Sequence, residues 1–297
     1  MEKIKVGVLR GGKSPNANKS LRSGSNILRN IPQEKYKSID ILITTDGLWH
    51  INGIPALLDD LLFNIDVFFN TLGGGDESIY QTLNNLLSPY VGSGLLASRF
   101  QNNRGLLRKW IKNTGIKTPK KRIISLDQSL NEMTLKIFSE ISPPWLVRPV
   151  IKEGFTDFHL TNSFDELGQA IHYLSDYPEG ILVEEYINGE KVSCGVINDF
   201  REQKHYSLLP MGENKNLNSE EKEEIQNIAR QLHQILGLNH YSNSNFLITP
   251  KKKIYFTGID IIPDLSPKSS FIASLQEVGC DLPDFLDHVI TLAYEGK

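Results

Sequence analysis

The sequence predicts an α/β fold with a parallel sheet at its N-terminal end and an α+β remainder. Two observations carry this. Apolar β-type runs at 4–9, 39–44 and 66–71 alternate with segments expected to be helical at 20–31, 54–63 and 77–87, the spacing of strands joined by crossover helices. Beyond residue 120, strand-like runs follow at 121–125, 145–150, 181–187, 191–197, 204–210, 241–248 and 253–256. Helices are expected among them at 130–141, 164–174 and 219–236.

Each element has a local cause. Segment 20–31, SLRSGSNILRNI, sets Leu21, Ile27, Leu28 and Ile31 on roughly one helical face. DVFFNT at 66–71 is apolar through its centre, as a strand covered on both faces must be. Three glycines at 73–75 turn the chain into the next helix. A helix expected over 102–113 ends at Gly115 with Pro119 beyond it, and Ser142-Pro143-Pro144 stops the one before it. Ser219, Glu223 and Glu224 give an acidic helix start, Gly237 a C-terminal stop, and 282–293 a closing amphipathic helix. Runs 241–248 and 253–256 read as a hairpin around Pro250-Lys251-Lys252. The stretch 254–270, IYFTGIDIIPDLSPKSS, then passes through Gly258 and Asp260 into a Pro-bounded turn, an arrangement that sets a carboxylate at a strand end facing a cleft.

A chain of 297 residues has room for roughly two or three compact units. Its 39% hydrophobic and 23% charged residues are those of a soluble globular protein. A formal charge of −3 argues against a nucleic-acid partner. Cys194 and Cys280 are too few and too distant for a disulfide framework or a thiolate metal site, and read as buried small hydrophobes in a reducing compartment. MEKIKVGVL enters a strand without a signal-peptide core, and no apolar run reaches the roughly 18 residues of a membrane span. The expectation is a cytoplasmic protein without a membrane partner.

Residues 7–14, GVLRGGKS, match the phosphate-loop pattern, in which Lys13 would reach terminal phosphates. The context opposes it: Gly7 falls inside the strand, Pro15 follows the serine, and the helical pattern starts only near Ser20. A tight glycine turn at a strand end fits better. Further on, Arg148 sits on one expected strand and Glu184 with Glu185 on another. They suit either the phosphates and ribose of a nucleotide or a cross-strand ion pair.

Several motifs together resemble the ATP-grasp ligases, and within them the D-alanine–D-alanine ligase family. They are GGKSxxxxxSLRSG at 11–24, TTDGLW at 44–49, LLSPYVGSGLLAS at 86–98, NTGIKTP, WLVRP, ILVEEYI at 181–187, LGLNHYSNSNF and the strand leading to IDIIPDLSP. The resemblance spans essentially the whole chain. It implies an ATP-grasp fold preceded by a Rossmann-like N-terminal domain, with units at 1–100 (N-terminal α/β), 101–187 (small, lid) and 188–297 (C-terminal). It also implies ATP and Mg2+ as cofactors, a homodimer, and a reaction in which one carboxylate is phosphorylated and an amine attacks the acyl phosphate.

Carried over by position, the resemblance puts the ammonium-anchoring acid on Asn16 and the two ATP lysines on Arg104 and Arg148. The lid loop falls on KEGFTDF, where Phe155 and Asp157 replace small residues. The adenine hinge falls on Ile187 with Glu184, Glu185 and Tyr186 before it, and the ribose acid on Lys191, next to Glu190. The arginine and first metal carboxylate fall on Asn243 and Asn245, the bridging glutamate on Gly258 and the asparagine ligand on Asp260. The oxyanion glycine falls on Asp264, while Ser266 and Ser269 match the substrate-carboxylate end. The closing loop shortens to GENKNLN. Metal ligation then rests on Asp260 with Asn245. The expectation is a D-alanine–D-alanine ligase-like protein, catalytically impaired and retaining nucleotide binding; the alternative is an active carboxylate–amine ligase that uses Asp260.

Overall fold

The computed structural model describes every residue except 1, 58–59, 61–64, 74–76, 86, 125–128, 151–157, 178–179, 213–216 and 297, and it omits the side chains of Arg104 and Leu130. Three sheets organise the chain. The first is built on β1 (Ile4–Gly11), β2 (Tyr36–Ile43), β5 (Val67–Asn70) and β6 (Tyr90–Val91), all parallel, with β3 (Trp49–Ile51) and β4 (Ile54–Pro55) as an antiparallel edge. Its order is β4-β3-β2-β1-β5-β6, the pattern that alternating strands and helices require. All four residues of β5 are buried.

Helix α1 (Ala17–Asn30) covers one face of this sheet. The chain end returns to the same face: Phe271, Phe285, Val289 and Ile290 pack with Val6, Val8, Ile27 and Phe69 in one core. Helix α2 (Glu77–Asn85) covers the other face, with Ile79 and Leu83 against Leu9, Ile41 and Phe68. Gly7 lies within β1, where a Cβ would come 2.7 Å from Ile41 Cδ1, so glycine serves strand packing there. Gly11 and Gly12 take positive φ in a turn, and α1 begins only at Ala17, with Lys13 exposed beside Gly47. The segment is the glycine turn, not a phosphate loop.

The second sheet is antiparallel, in the order β7-β10-β8-β9: β7 (Lys121–Ile124), β8 (Trp145–Pro149), β9 (His159–Thr161) and β10 (Ile181–Glu185). Helices α5 (Leu130–Glu140) and α6 (Phe164–Tyr173) supply its core with Ile137, Leu167 and Ile171. Strand periodicity sends Trp145, Val147, Ile181 and Val183 into that core. The alternate residues Leu146, Arg148 and Glu184 face the other way, into a cleft.

The third sheet runs β12 (Gln203–Ser207), β11 (Glu190–Phe200), β14 (Tyr241–Ile248), β15 (Ile254–Asp260), with β13 (Met211–Gly212) also on β11. Behind it lie α3 (Leu95–Asn102), α4 (Arg104–Ile111) and α7 (Ser219–Ile235). A capping box opens α7: Asn218 accepts from Glu221 N at 2.8 Å, and Glu221 accepts from Asn218 N at 3.0 Å. Asn218→Ala is expected to cost about 1 kcal/mol in urea unfolding. Helices α8 (Ser270–Glu277) and α9 (Leu282–Tyr294) close the chain.

The sequence reading needs three corrections. Ile54 and Pro55 form an edge strand rather than opening a helix, and residues 58–59 and 61–64 of that expected helix lie outside the described residues. The helix expected over 102–113 is α4, started by the Asn103 side chain, which accepts from Leu106 N at 2.9 Å; α3, directly before it, was not expected. Strand β15 runs beyond the expected 253–256 to Asp260, which stands at the strand end, as the stretch 254–270 suggested. Cys194 and Cys280 are free and buried, as read. Among the described residues, no helix is long and apolar enough to cross a membrane.

Candidate functional site

A cavity of about 920 Å³ opens between the second and third sheets, floored at one end by α1 and the start of α8. One wall comes from β8 and β10. Arg148 donates through its guanidinium to Glu184, and Lys121 Nζ lies 3.7 Å from the same carboxylate. Glu184 is 6% exposed, so one cation on each side compensates a nearly buried charge. The ion pair foreseen for these strands is therefore present, and it lines the cleft as well. Arg148 Nε is buried and has no hydrogen-bond partner among the described residues.

The hinge between β10 and β11 lies at one end. Glu185 accepts from Lys120 N at 3.0 Å, Tyr186 is half exposed, and Ile187 is buried. Leu146, Phe246, Leu247 and Met211 make this end apolar. Glu190 is not among the residues lining the cleft; its Oε1 lies by Gly212, and Lys191 lines the cleft instead.

The opposite wall depends on a β-bulge. Phe246 pairs with Phe256 and Asn245 with Gly258, so Thr257 is an extra residue on β15. Without it, Asp260 would share the face of Phe256 and point into the core; the inserted residue reverses the alternation. Asp260 instead pairs with Asn243 on the cleft face, and Asn245 Nδ2 donates to its carboxylate at 2.8 Å. Thr257 Oγ1 holds the bulge by donating to Asn245 O at 3.0 Å.

At the far end, Asp264 Oδ1 accepts from Ser23 Oγ and from Ser266 N, each at 2.9 Å. Burial raises its pKa, but the bonds from Ser266 and Ser23 and the nearby Lys19 outweigh that, so the carboxyl is held below its ordinary value. Asp264 thus ties α1 to the loop before α8, a role its position in the sequence did not suggest. Ser269 caps α8 by accepting from Ile272 N at 3.3 Å, and Ser193 Oγ donates to Ser270 Oγ at 3.2 Å. Lys19 and Lys268 line this end; neither was singled out from the sequence.

The structure thus gathers Arg148, Glu184, Glu185, Tyr186, Ile187, Asn243, Asn245, Asp260, Asp264 and Ser269 around one cavity. Asn16 is exposed beside Gly73 and does not line it. The side chain of Arg104, with Phe155 and Asp157 of the lid loop and most of the GENKNLN loop, lies outside the described residues.

The cavity's size, its apolar hinge end and the Arg148 cation on its wall fit a nucleoside triphosphate. Magnesium is fitted more sparingly. No cluster of three acidic, histidine or cysteine side chains occurs among the described residues. The Asn245 amide gives its nitrogen to Asp260, which leaves its oxygen and the second Asp260 oxygen for one cation, the small ligand set of a site completed by phosphate oxygens.

Comparison with known proteins identifies this architecture. Residues 211–291 match the family model described as D-ala D-ala ligase C-terminus. Over its whole length the chain is 26% identical to the vancomycin/teicoplanin A-type resistance protein VanA of Enterococcus faecium, covering 100% of each. The D-alanine–D-alanine ligase of Coxiella burnetii superposes with a TM-score of 0.87 at 20% identity, covering 100% of this chain and 95% of that one. That of Bacillus anthracis, solved in complex with ATP, gives 0.80 at 20% identity, covering 100% and 98%. The fold is the ATP-grasp fold, with a parallel-sheet unit ahead of two antiparallel sheets that enclose the cleft. Within it, the chain is a D-alanine–D-alanine ligase-like protein.

Proposed function

We propose that this chain is an ATP-dependent ligase that activates the carboxylate of an acid other than D-alanine. The observation that carries the reading is the bulge at Thr257, which turns Asp260 and its partner Asn245 onto the same cleft that Arg148 lines. ATP, when bound, supplies the phosphoryl group that makes a carboxylate reactive. Arg148 would offset phosphate charge, and Asp260 with Asn245 would hold one magnesium ion. The neutral Asn16, exposed and away from the cavity, offers no carboxylate to a D-alanine ammonium group. The similarity to the D-alanine–D-alanine ligases supports three units at 1–100, 101–187 and 188–297 and a homodimer, which light scattering would check.

A second reading, a nucleotide-binding protein that has lost turnover, is favoured by Asp264, which sets a carboxylate near the substrate end where developing negative charge would be repelled. Two measurements separate them. Calorimetric titration with ATP and magnesium is expected to show binding that Asp260→Ala weakens about tenfold, the loss of one cation ligand. Phosphate release stimulated by a carboxylic acid other than D-alanine supports the ligase. Binding without release under any acid supports the second reading, and rapid release with D-alanine overturns the substrate assignment.

A further inference from the structure

We infer that the acid taken by this cleft carries a second anionic group, received by Lys19 and Lys268. The inference rests on the ligase reading and concerns the end of the cavity remote from the hinge. Four acids and four bases line the cavity among the described residues, but they are not equally free. Glu184 is matched by Arg148 and Lys121, and Glu185 accepts from the Lys120 amide. Asp260 accepts from Asn245, and Asp264 from Ser23 and Ser266. By contrast, no hydrogen bond or ion pair engages the ammonium groups of Lys19, Lys191 and Lys268 among the described residues. Bonds from neutral donors leave the carboxylates of Glu185, Asp260 and Asp264 charged, so the imbalance is local: at the Asp264 end two lysines, Lys19 and Lys268, accompany one lining carboxylate.

Their positions divide the work. Lys191 follows the hinge by two residues from Gly189, at the apolar end suited to the nucleotide, and Arg148 lies on the wall suited to its phosphates. Lys19 and Lys268 remain at the Asp264 end. Lys19 precedes Ser23 by four residues on α1, so the two share a helix face, and Ser23 is bonded to Asp264. Lys268 immediately precedes Ser269, the cap of α8. One carboxylate requires a single cation; two uncommitted ammonium groups suit two anionic groups on one small molecule. Asp264, held ionised by Ser23, Ser266 and the nearby Lys19, is the one carboxylate at this end, which provides for an ammonium group on the same molecule. The chemistry described is that of an amino acid with a second acidic group, a carboxylate or a phosphate.

The test uses the full chain with ATP and magnesium, and reads phosphate release against D-aspartate, L-aspartate, D-glutamate and phosphoserine, with D-alanine and D-serine as acids that lack the second anionic group. At least one acid of the first group is expected to give kcat/KM about tenfold or more above D-alanine, and Lys19→Gln with Lys268→Gln to remove that preference mainly through KM. Aspartate against phosphoserine distinguishes carboxylate from phosphate. Equal or better use of D-alanine overturns the inference, as does a preference untouched by the double substitution. Should no acid release phosphate, the ligase reading fails, and the inference is judged by calorimetry with ADP and magnesium present. Binding of one of these acids that the double substitution abolishes upholds it, and no binding of any overturns it.

Discussion

Arg148→Ala is expected to lower stability by about 3 kcal/mol and to weaken ATP binding about a hundredfold. Both effects come from one guanidinium with two duties. Toward the sheet it compensates Glu184, a nearly buried carboxylate whose other cation, Lys121, stands off at 3.7 Å. Removing Arg148 leaves that charge half matched in a poorly solvated wall; Lys121 and partial exposure keep the cost at the low end for a broken buried pair. Toward the cleft, Arg148 lines the cavity, where its positive charge can offset that of a phosphate. The duties separate in the double variant. Arg148→Ala with Glu184→Leu removes the half-matched carboxylate but takes it from Lys121 as well, so urea unfolding should recover part of the lost stability while calorimetry still finds weak ATP binding. Arg148→Lys should restore part of both, because the charge returns without the planar fork. ATP affinity unchanged in Arg148→Ala would place the nucleotide elsewhere, and equal instability in the single and double variants would remove the ion-pair argument.

The strands and helices of the first sheet were legible because a parallel sheet needs strands apolar on both faces, and VFFN at 67–70 admits no other placement. Arg148 and Glu184 were legible for the opposite reason: a charge on a strand that is otherwise apolar, one on β8 and two on β10, must face something polar. The hairpin β3–β4 announced itself through Asn52-Gly53, both at positive φ in the structure, but the apolar spacing downstream was read as a helix. The bulge on β15 had only Gly258 as a hint, since an extra residue is defined against a partner strand and not within its own. The same limit hid Lys19 and Lys268: they lie some 250 positions apart in the sequence, and only the return of the chain end onto the first sheet brings them to one cavity. Substitution at family positions was visible residue by residue, whereas the way Asn245 and Asp260 share one site depends on register.

The chain should also lose stability steeply in mild acid through a residue far from the cleft chemistry. His233, on α7, is fully buried against the third sheet, its Nδ1 2.7 Å from Ser242 Oγ and its Nε2 without a partner among the described residues. Burial, then the neighbouring His205 and His240, pushes its pKa down to about 3, against 6.5 for the free side chain. Above pH 6.5 the imidazole is neutral folded and unfolded, and it contributes no pH dependence. As pH falls below 6.5 the unfolded chain binds a proton that the folded chain refuses, so stability drops by about 1.4 kcal/mol per pH unit. The loss would continue to about pH 3 and total about 4 to 5 kcal/mol if the fold survived so far. His205, whose ring stands 5.3 Å from His233, is lowered too, by burial and then Lys204, and acts with the same sign. Urea unfolding of the full chain between pH 7 and pH 5 measures the slope. His233→Leu should lower stability at pH 7 by leaving Ser242 without its partner, yet flatten the slope by close to one proton, and His205→Gln should flatten it less. A slope unchanged in His233→Leu would mean that His233 takes up its proton while still folded. In that case the acid sensitivity would belong to paired carboxylates such as Asp264, whose lowered pKa acts only nearer the carboxylate range.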